Sequence, residues 1–282
     1  MALTQDPTGT VFPQRRFSYS AKDTILYALG VGAGSQDQIA DLPYLFEMGL
    51  RALPSQAAVI AWDDAWLGQI GLNERLVVHG EQRITLHQPL PVAAAIEAQS
   101  TIVEVVDKGQ DRGALLYVET AITRTDEPAP LATLLSTVFA RGDGGFGGKP
   151  SGGPTPHPIP SGSPDLLCAT RIPLNQALIY RLSGDLNPLH ADPDFARSAG
   201  FDRPILHGLS TYGATVRTIT SAVLGYDPTP IEHIAARFSA PLFPGDDVEV
   251  LIWNNGLEIS FRLVSKVTGK VVLDHGLIRL RA

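Results

Sequence analysis

The sequence predicts an α+β protein made of two similar units, each a helix followed by long antiparallel strands. A stretch rich in Gly, Pro and Ser, from 142 to 164, divides the 282-residue chain into two parts of similar length. In each part a helical segment precedes β-branched or alternating runs that are separated by Gly, Asn or Asp. This repeated order indicates a tandem duplication of a sheet that wraps a helix, with coincidence between two strand-rich domains as the alternative.

The predicted elements follow this plan along the chain. In the first unit, helices are predicted over 22–31 and 44–53, and strands over 95–107, 115–124 and 132–139. In the second unit, one helix is predicted over 208–224, and strands over 248–253, 257–267 and 271–280. The predicted boundaries are 1–141 for the first unit, 142–170 for the linker and 171–282 for the second unit.

The composition limits the classes of function. Hydrophobic residues make up 44% of the chain, which is enough for a large core. The net charge of −7 argues against nucleic acid as a partner, because such proteins carry basic surfaces. The single cysteine, Cys168, cannot form an intramolecular disulfide. No window approaches the ~20 apolar residues of a membrane span, and the termini carry no recognised targeting signal. We therefore expect a soluble cytoplasmic protein with no membrane partner.

The segment from Tyr180 to His190 carries the densest set of potential catalytic groups. Asp185 and His190 are about 140° apart around a helix, so a helix would not bring them together. Pro188 forces Asn187 away from helical dihedral angles, which bends the loop between them. A carboxylate and an imidazole on one loop suit proton transfer near neutral pH. For the pair alone, the alternative is a turn-capping aspartate and a structural histidine.

The sequence Ser-Gly-Asp-Leu-Asn-Pro-Leu-His at 183–190 resembles the motif of the MaoC-like dehydratases. Within them it is similar to the hydratase 2 enzymes, including the hydratase part of peroxisomal multifunctional enzyme type 2. Similar segments span nearly the whole chain and lie at 27–33, 79–82, 89–91, 144–149, 180–190, 199–208 and 241–246. The resemblance implies a double hot-dog fold, in which two repeats each wrap a long helix and share one continuous sheet. It also implies a homodimer.

The resemblance assigns catalytic roles to four residues. Asp185 and His190 correspond to the acid–base pair, and Asn187 to the residue that holds the site geometry. The backbone N–H of Gly208 corresponds to the group that polarises the thioester carbonyl. Gly208 also begins the predicted helix 208–224, whose free N–H groups and positive dipole end suit an oxyanion. A plain turn residue is the alternative for Gly208.

Further candidates are less specific. The candidate supporting residues are Glu47, Tyr180 and Ser183, and an ordinary helix carboxylate is the alternative for Glu47. The candidate substrate-binding residues are Arg181, His207, Gly147 and Gly148. Lys149 and Arg203 are further candidate phosphate contacts, with ordinary surface charges as the alternative. The histidines show neither His-x-His nor His-Glu-x-x-His spacing, so no metal site is predicted.

The predicted reaction is the reversible hydration of trans-2-enoyl-CoA to (R)-3-hydroxyacyl-CoA, a hydro-lyase reaction of fatty acid metabolism. Coenzyme A is part of the substrate, and no cofactor is expected. The first unit has no Asp-x-Asn-Pro-x-His motif, so it is expected to supply the acyl pocket. The alternatives are dehydration of (3R)-hydroxyacyl groups on acyl carrier protein or of a specialised thioester, thioester hydrolysis, and non-catalytic acyl-CoA binding.

Overall fold

The computed structural model describes residues 3–73 and 76–282. In these ranges the strands are β1 (Arg15–Tyr19), β2 (Val77–Leu86), β3 (Ala94–Asp107), β4 (Ala114–Arg124), β5 (Pro130–Ala140), β6 (Leu166–Arg171), β7 (Ile231–Phe238), β8 (Asp247–Asn255), β9 (Glu258–Ser265) and β10 (Val271–Leu280). They form one continuous sheet in the order β1-β3-β4-β5-β2-β7-β10-β9-β8-β6. Each adjacent pair is antiparallel. The predicted strands and the joining of two half-sheets are therefore confirmed.

The two half-sheets meet where β2 pairs with β7, over five residue pairs from Glu81↔Arg237 to Thr85↔His233. Glu81 is buried at this junction and accepts hydrogen bonds from Arg83 at 2.7 Å and from Arg237 at 3.2 Å. A buried carboxylate needs such partners, because burial of an unpaired charge is costly. Backbone pairing and a shared ion cluster thus hold the halves together.

The helices are α1 (Ala21–Gly30), α2 (Leu42–Leu45), α3 (Trp66–Gln69), α4 (Gln176–Tyr180), α5 (Pro193–Ser198) and α6 (Gly208–Leu224). The prediction over 22–31 is confirmed within one residue by α1, and α6 confirms the prediction over 208–224. Within the two described ranges, none of the helices has both the length and the apolar character that a membrane span requires.

The helix predicted over 44–53 is wrong. Only α2 forms, and the chain becomes extended at Phe46 (φ −123°, ψ 135°). Gly49 then adopts a positive φ of 79° in a turn, which a helix cannot contain. Between α2 and β2, the described residues hold only short helical segments, including Pro54–Ala58 and α3. The first repeat therefore has short helical pieces where the second repeat has the long helix α6.

Helix α6 lies against the sheet and is buried along most of its length. Its residues from Leu209 to Thr220 are all buried. The largest apolar cluster joins this helix to both half-sheets, and it includes Ile84, Ile96, Ile122, Tyr212, Val216, Ile219, Val250, Ile252 and Phe261. One core thus spans both repeats, because the half-sheets bury their inner faces together.

The predicted linker is shorter than expected. Residues 142–165 contain neither helix nor strand, but β6 occupies the end of the predicted 142–170 segment. This strand pairs with β8 along its whole length and forms one edge of the sheet. Without β6, this side of β8 would have unpaired backbone N–H and C=O groups, and pairing with β6 satisfies them.

Candidate active site

The catalytic loop connects α4 to α5 and is shaped by turn-forming residues. After α4, a short 3₁₀ turn (Arg181–Ser183) leads to Gly184, which has a φ of 138°. A second 3₁₀ turn, Pro188–His190, begins after Asn187, whose side-chain oxygen accepts a hydrogen bond from the N–H of Leu189 at 3.0 Å. Asn187 therefore stabilises the loop conformation through a cap on this turn.

This loop brings Asp185 and His190 together. The Oδ2 atom of Asp185 lies 3.9 Å from the Nε2 atom of His190, beyond direct hydrogen-bonding distance. Asp185 also accepts a hydrogen bond from the backbone N–H of Asn187 at 3.1 Å. A water molecule about 2.8 Å from each of the two facing atoms fits this separation.

The hydrogen bond on the far side of the His190 ring sets its tautomer. Nδ1 of His190 lies 2.9 Å from the carbonyl oxygen of Ile205, so Nδ1 carries the proton and donates. In the neutral ring, Nε2 then presents its lone pair toward Asp185. The geometry suits Nε2 for accepting a proton from a water placed between the two side chains.

Burial shifts the pKa values of both groups. It lowers the pKa of His190, and the nearby Asp185 carboxylate opposes this shift. Burial raises the pKa of Asp185, while His190 and the Asn187 amide oppose that change. Because the pKa of His190 lies below its ordinary value of 6.5, the imidazole is neutral at pH 7.

His207 is the second imidazole of the site. It is buried and stacks on His190 with ring centroids 3.7 Å apart and an interplanar angle of 25°. Its Nε2 atom lies 3.2 Å from the backbone carbonyl of Asp185, and Tyr180 packs on it at 4.9 Å. Asp185, His190 and His207 each place one potential ligand atom within 4.8 Å of the others, although their spacing in the sequence predicts no metal site.

Gly208 is the first residue of α6, directly after His207. The first N–H groups of a helix have no intrahelical acceptor, so this end of α6 can donate to a carbonyl oxygen. A Cβ atom on Gly208 would lie only 3.2 Å from the ring of Phe238. Because Gly208 has no side chain, the start of α6 and the Phe238 ring can lie this close without displacement.

The predicted supporting residues have different surroundings. Tyr180 is buried beside His207, and the Ser183 hydroxyl is buried without a hydrogen-bond partner in residues 3–73 and 76–282. Arg181 donates to the carbonyl of Leu186 at 3.4 Å. Glu47 is exposed in the turn after α2, and no contact among the described residues places it with the acid–base pair.

The predicted substrate-binding residues Gly147 and Gly148 lie in a loop whose N–H groups already have an acceptor within the chain. Their N–H groups donate to the carboxylate of Asp107 at 2.8 and 3.2 Å, and Gly145 donates to the same carboxylate. These hydrogen bonds lower the pKa of Asp107 to about 2. The glycine-rich loop therefore already holds an anion of its own chain.

The two cations considered for phosphate contacts are also paired. Lys149 lies 2.6 Å from Glu104, and Arg203 lies 3.2 Å from Asp246. The guanidinium of Arg203 stands 4.9 Å from the centroid of the Phe243 ring. Both side chains remain about half exposed, so the pairs are surface interactions of small net stability.

Sequence reasoning missed Trp62, a residue of the first repeat that covers the catalytic loop. A Cβ atom on Gly184 would lie 2.9 Å from Cβ of Trp62. The motif segment therefore packs directly against the first repeat. No local pattern around Trp62 indicates this contact, because it joins residues far apart in the chain.

Comparison with known proteins agrees with this architecture. Residues 161–275 match the MaoC-like domain family, and residues 17–142 match the MFE-2 hydratase 2 N-terminal domain family. The 3-hydroxyacyl-thioester dehydratase Y of Mycobacterium tuberculosis is 35% identical over 99% of this chain and 98% of its own length. The peroxisomal enoyl-CoA hydratase 2 of Arabidopsis thaliana is 34% identical over 93% of this chain and 90% of its own length.

A solved MaoC-like dehydratase from Phytophthora capsici has a similar structure, with a TM-score of 0.85 and 28% identity. The likeness covers 100% of this chain and 98% of that one, so it includes both repeats and confirms the double hot-dog fold. Sequence and structure thus agree along the whole length. The chain belongs to the MaoC-like dehydratase family, in its hydratase 2 branch.

Proposed function

We propose that this protein catalyses the reversible hydration of trans-2-enoyl-CoA to (R)-3-hydroxyacyl-CoA. The observation that carries this proposal is the 3.9 Å gap between Asp185 Oδ2 and His190 Nε2, which suits one water molecule. The N-terminus of α6 lies beside it, because His207 joins the loop to Gly208. The names of the enoyl-CoA hydratase and thioester dehydratase relatives support the same reaction class.

The substrate carbonyl is polarised first. An enoyl thioester conjugates its double bond with the carbonyl, so negative charge drawn onto the oxygen makes the β-carbon electrophilic. The N–H of Gly208, at the positive end of α6, stabilises the enolate oxygen. Such a preorganised donor typically contributes about 3–4 kcal/mol to the transition state.

His190 acts as the base. Its Nε2 atom takes a proton from the water as the water oxygen bonds to the β-carbon, while the π electrons move onto the carbonyl oxygen. Asp185 orients the water and stabilises the imidazolium. The enolate then collapses as the His190 imidazolium gives the proton to the α-carbon on the same face, which restores the neutral ring. Dehydration reverses these steps, and the (R) configuration of the product follows from the family resemblance.

The test is the loss of enoyl-thioester ultraviolet absorbance with short and medium trans-2-enoyl-CoA, followed by chiral analysis of the product. Asp185→Ala should abolish turnover while the circular dichroism spectrum is unchanged. Asp194→Ala is the matched control, since this aspartate is exposed on α5 and pairs with the exposed Arg197. A folded Asp185→Ala enzyme with retained turnover would contradict the proposed role.

A second candidate is dehydration of a (3R)-hydroxyacyl group on another thioester carrier, including acyl carrier protein. The name of the dehydratase Y relative favours it, because it specifies the thioester and not coenzyme A. The same acid–base pair serves both directions. A direct comparison of kcat/KM for coenzyme A and acyl-carrier-protein substrates separates the two.

The proposal extends to assembly and location. We propose a homodimer, which light scattering after gel filtration tests. Leu174, Leu178, Leu182 and Leu186 are exposed and provide apolar area for a contact between subunits. We also propose a cytoplasmic location, which fractionation tests against the peroxisomal location that one relative's name gives.

A further inference from the structure

His207 touches both members of the proposed acid–base pair. Its ring lies on the ring of His190 at 3.7 Å, and its Nε2–H donates to the backbone carbonyl of Asp185 at 3.2 Å. It is also the last residue before Gly208 and the start of α6. His207 therefore connects the His190 ring, the backbone of Asp185 and the N-terminus of α6.

The surroundings of His207 fix its ring. Tyr180, fully buried at the end of α4, packs on it at 4.9 Å, so the order across the site is Tyr180, His207, His190. The titratable or charged residues around it include Tyr180, Asp185, His190 and Arg181. Burial, reinforced by His190, lowers the pKa of His207 to about 3, so the ring stays neutral at physiological pH.

A neutral ring is what this position requires. A charged imidazolium stacked at 3.7 Å would oppose protonation of His190, the proposed base. The hydrogen bond from His207 Nε2–H to the Asp185 carbonyl also sets the tautomer and the ring orientation of His207.

We infer that His207 is a positioning residue, which holds the His190 imidazole and the Asp185 backbone at the separation that one catalytic water needs. This inference rests on the proposed function. The stack orients the base, and the hydrogen bond fixes the loop segment that carries the carboxylate. His207 itself exchanges no proton with the substrate.

Two variants separate the two contacts. His207→Phe keeps a ring against His190 but has no donor for the Asp185 carbonyl, so kcat should fall about tenfold with little change in KM. His207→Gln keeps a donor nitrogen of similar reach but loses the stack, so kcat should fall by a smaller factor, about threefold. In the same variant the uncovered His190 ring becomes hydrated, so its pKa should rise toward the ordinary value. His87→Phe, on an exposed histidine that bonds Thr133, is the control.

The measurements are steady-state hydration kinetics and an NMR pH titration of the His190 ring nitrogens. Wild-type kcat in His207→Phe, together with an unchanged His190 pKa in His207→Gln, would overturn the inference. If the wild-type protein shows no hydratase activity, the proposed function fails. The NMR titration still decides the positioning role in that case, since it requires no substrate.

Discussion

The buried ion pair between Asp41 and Arg217 makes a sharp prediction about how the repeats are joined. Asp41 precedes α2 in the first repeat, and Arg217 lies in the middle of α6. Their side chains are 3% and 10% exposed, and Nη1 of Arg217 lies 3.1 and 3.3 Å from the two carboxylate oxygens. Arg217 Nε donates to the carbonyl of Val31, and Asp41 accepts from the N–H of Gly34.

Asp41→Ala should therefore lower the free energy of unfolding by about 3–5 kcal/mol, the cost of leaving one buried charge without its partner. The amide of Gly34 loses its acceptor in the same change, which adds to the loss if water cannot reach it. Asp41→Asn keeps an acceptor for this amide, so its loss should be smaller. The loss expected for Asp41→Ala is a large fraction of the ~5–15 kcal/mol free energy of unfolding of a typical domain.

Urea unfolding followed by tryptophan fluorescence and by circular dichroism measures this difference. Asp202→Ala is the control, since this aspartate is exposed on the loop before α6. An unfolding free energy of Asp41→Ala within ~0.5 kcal/mol of the wild type, the range of ordinary surface substitutions, would contradict the stabilising role of this ion pair. A double variant, Asp41→Leu with Arg217→Met, should recover part of the loss, because it leaves no buried charge.

Four further predictions concern the site and the linker. Because burial lowers the pKa of His190 below 6.5, the acidic fall of kcat/KM should have its midpoint below pH 6.5; a midpoint at or above pH 6.5 contradicts this. Gly208→Ala places a methyl group 3.2 Å from the Phe238 ring and should reduce kcat about 10²-fold by displacing the carbonyl or the donor; near-normal kcat would count against the assigned donor. Asp107→Asn should be less stable than the wild type at pH 7 in urea unfolding. Since the pKa of Asp107 is lowered from 3.8 to about 2, the stability from its carboxylate is lost as pH falls between these values, and the two proteins should converge there. Dialysis against a chelator should leave hydration unchanged, and a loss that added zinc restores would refute metal-free catalysis.

The fold could be predicted from the sequence wherever its signals are local. The six predicted strands, which correspond to β3, β4, β5, β8, β9 and β10, have clear alternation and turn residues, and their predicted starts and ends lie close to those observed. Strands β1, β2, β6 and β7 were not predicted. Helix α6 was predicted with the observed bounds, since a long run without Pro ends at Gly225, which adopts a φ of 55°. The catalytic loop was also predictable, because Asp185 and His190 lie within six residues of each other.

The errors arise where distant residues decide the outcome. Gly145, Gly147 and Gly148 donate to the carboxylate of Asp107, about forty residues earlier, and no local pattern predicts this contact. The roles of His207 and Trp62 likewise depend on contacts with the catalytic loop that chain spacing does not show. The predicted helix over 44–53 failed because its apolar residues gave a weak signal, which a turn at Gly49 overrides.

The difference between the repeats explains why a duplicated fold has one proposed active site. The second repeat has both the Asp-x-Asn-Pro-x-His loop and a long helix whose N-terminus faces it. In the first repeat, the described residues between α2 and β2 form only short helical segments, which provide no comparable dipole at a loop. That repeat instead covers the catalytic loop with Trp62 and anchors α6 through Asp41. Because the β2–β7 pairing and the common core are also shared, neither repeat buries its apolar face alone, and the catalytic half depends on its partner for structure.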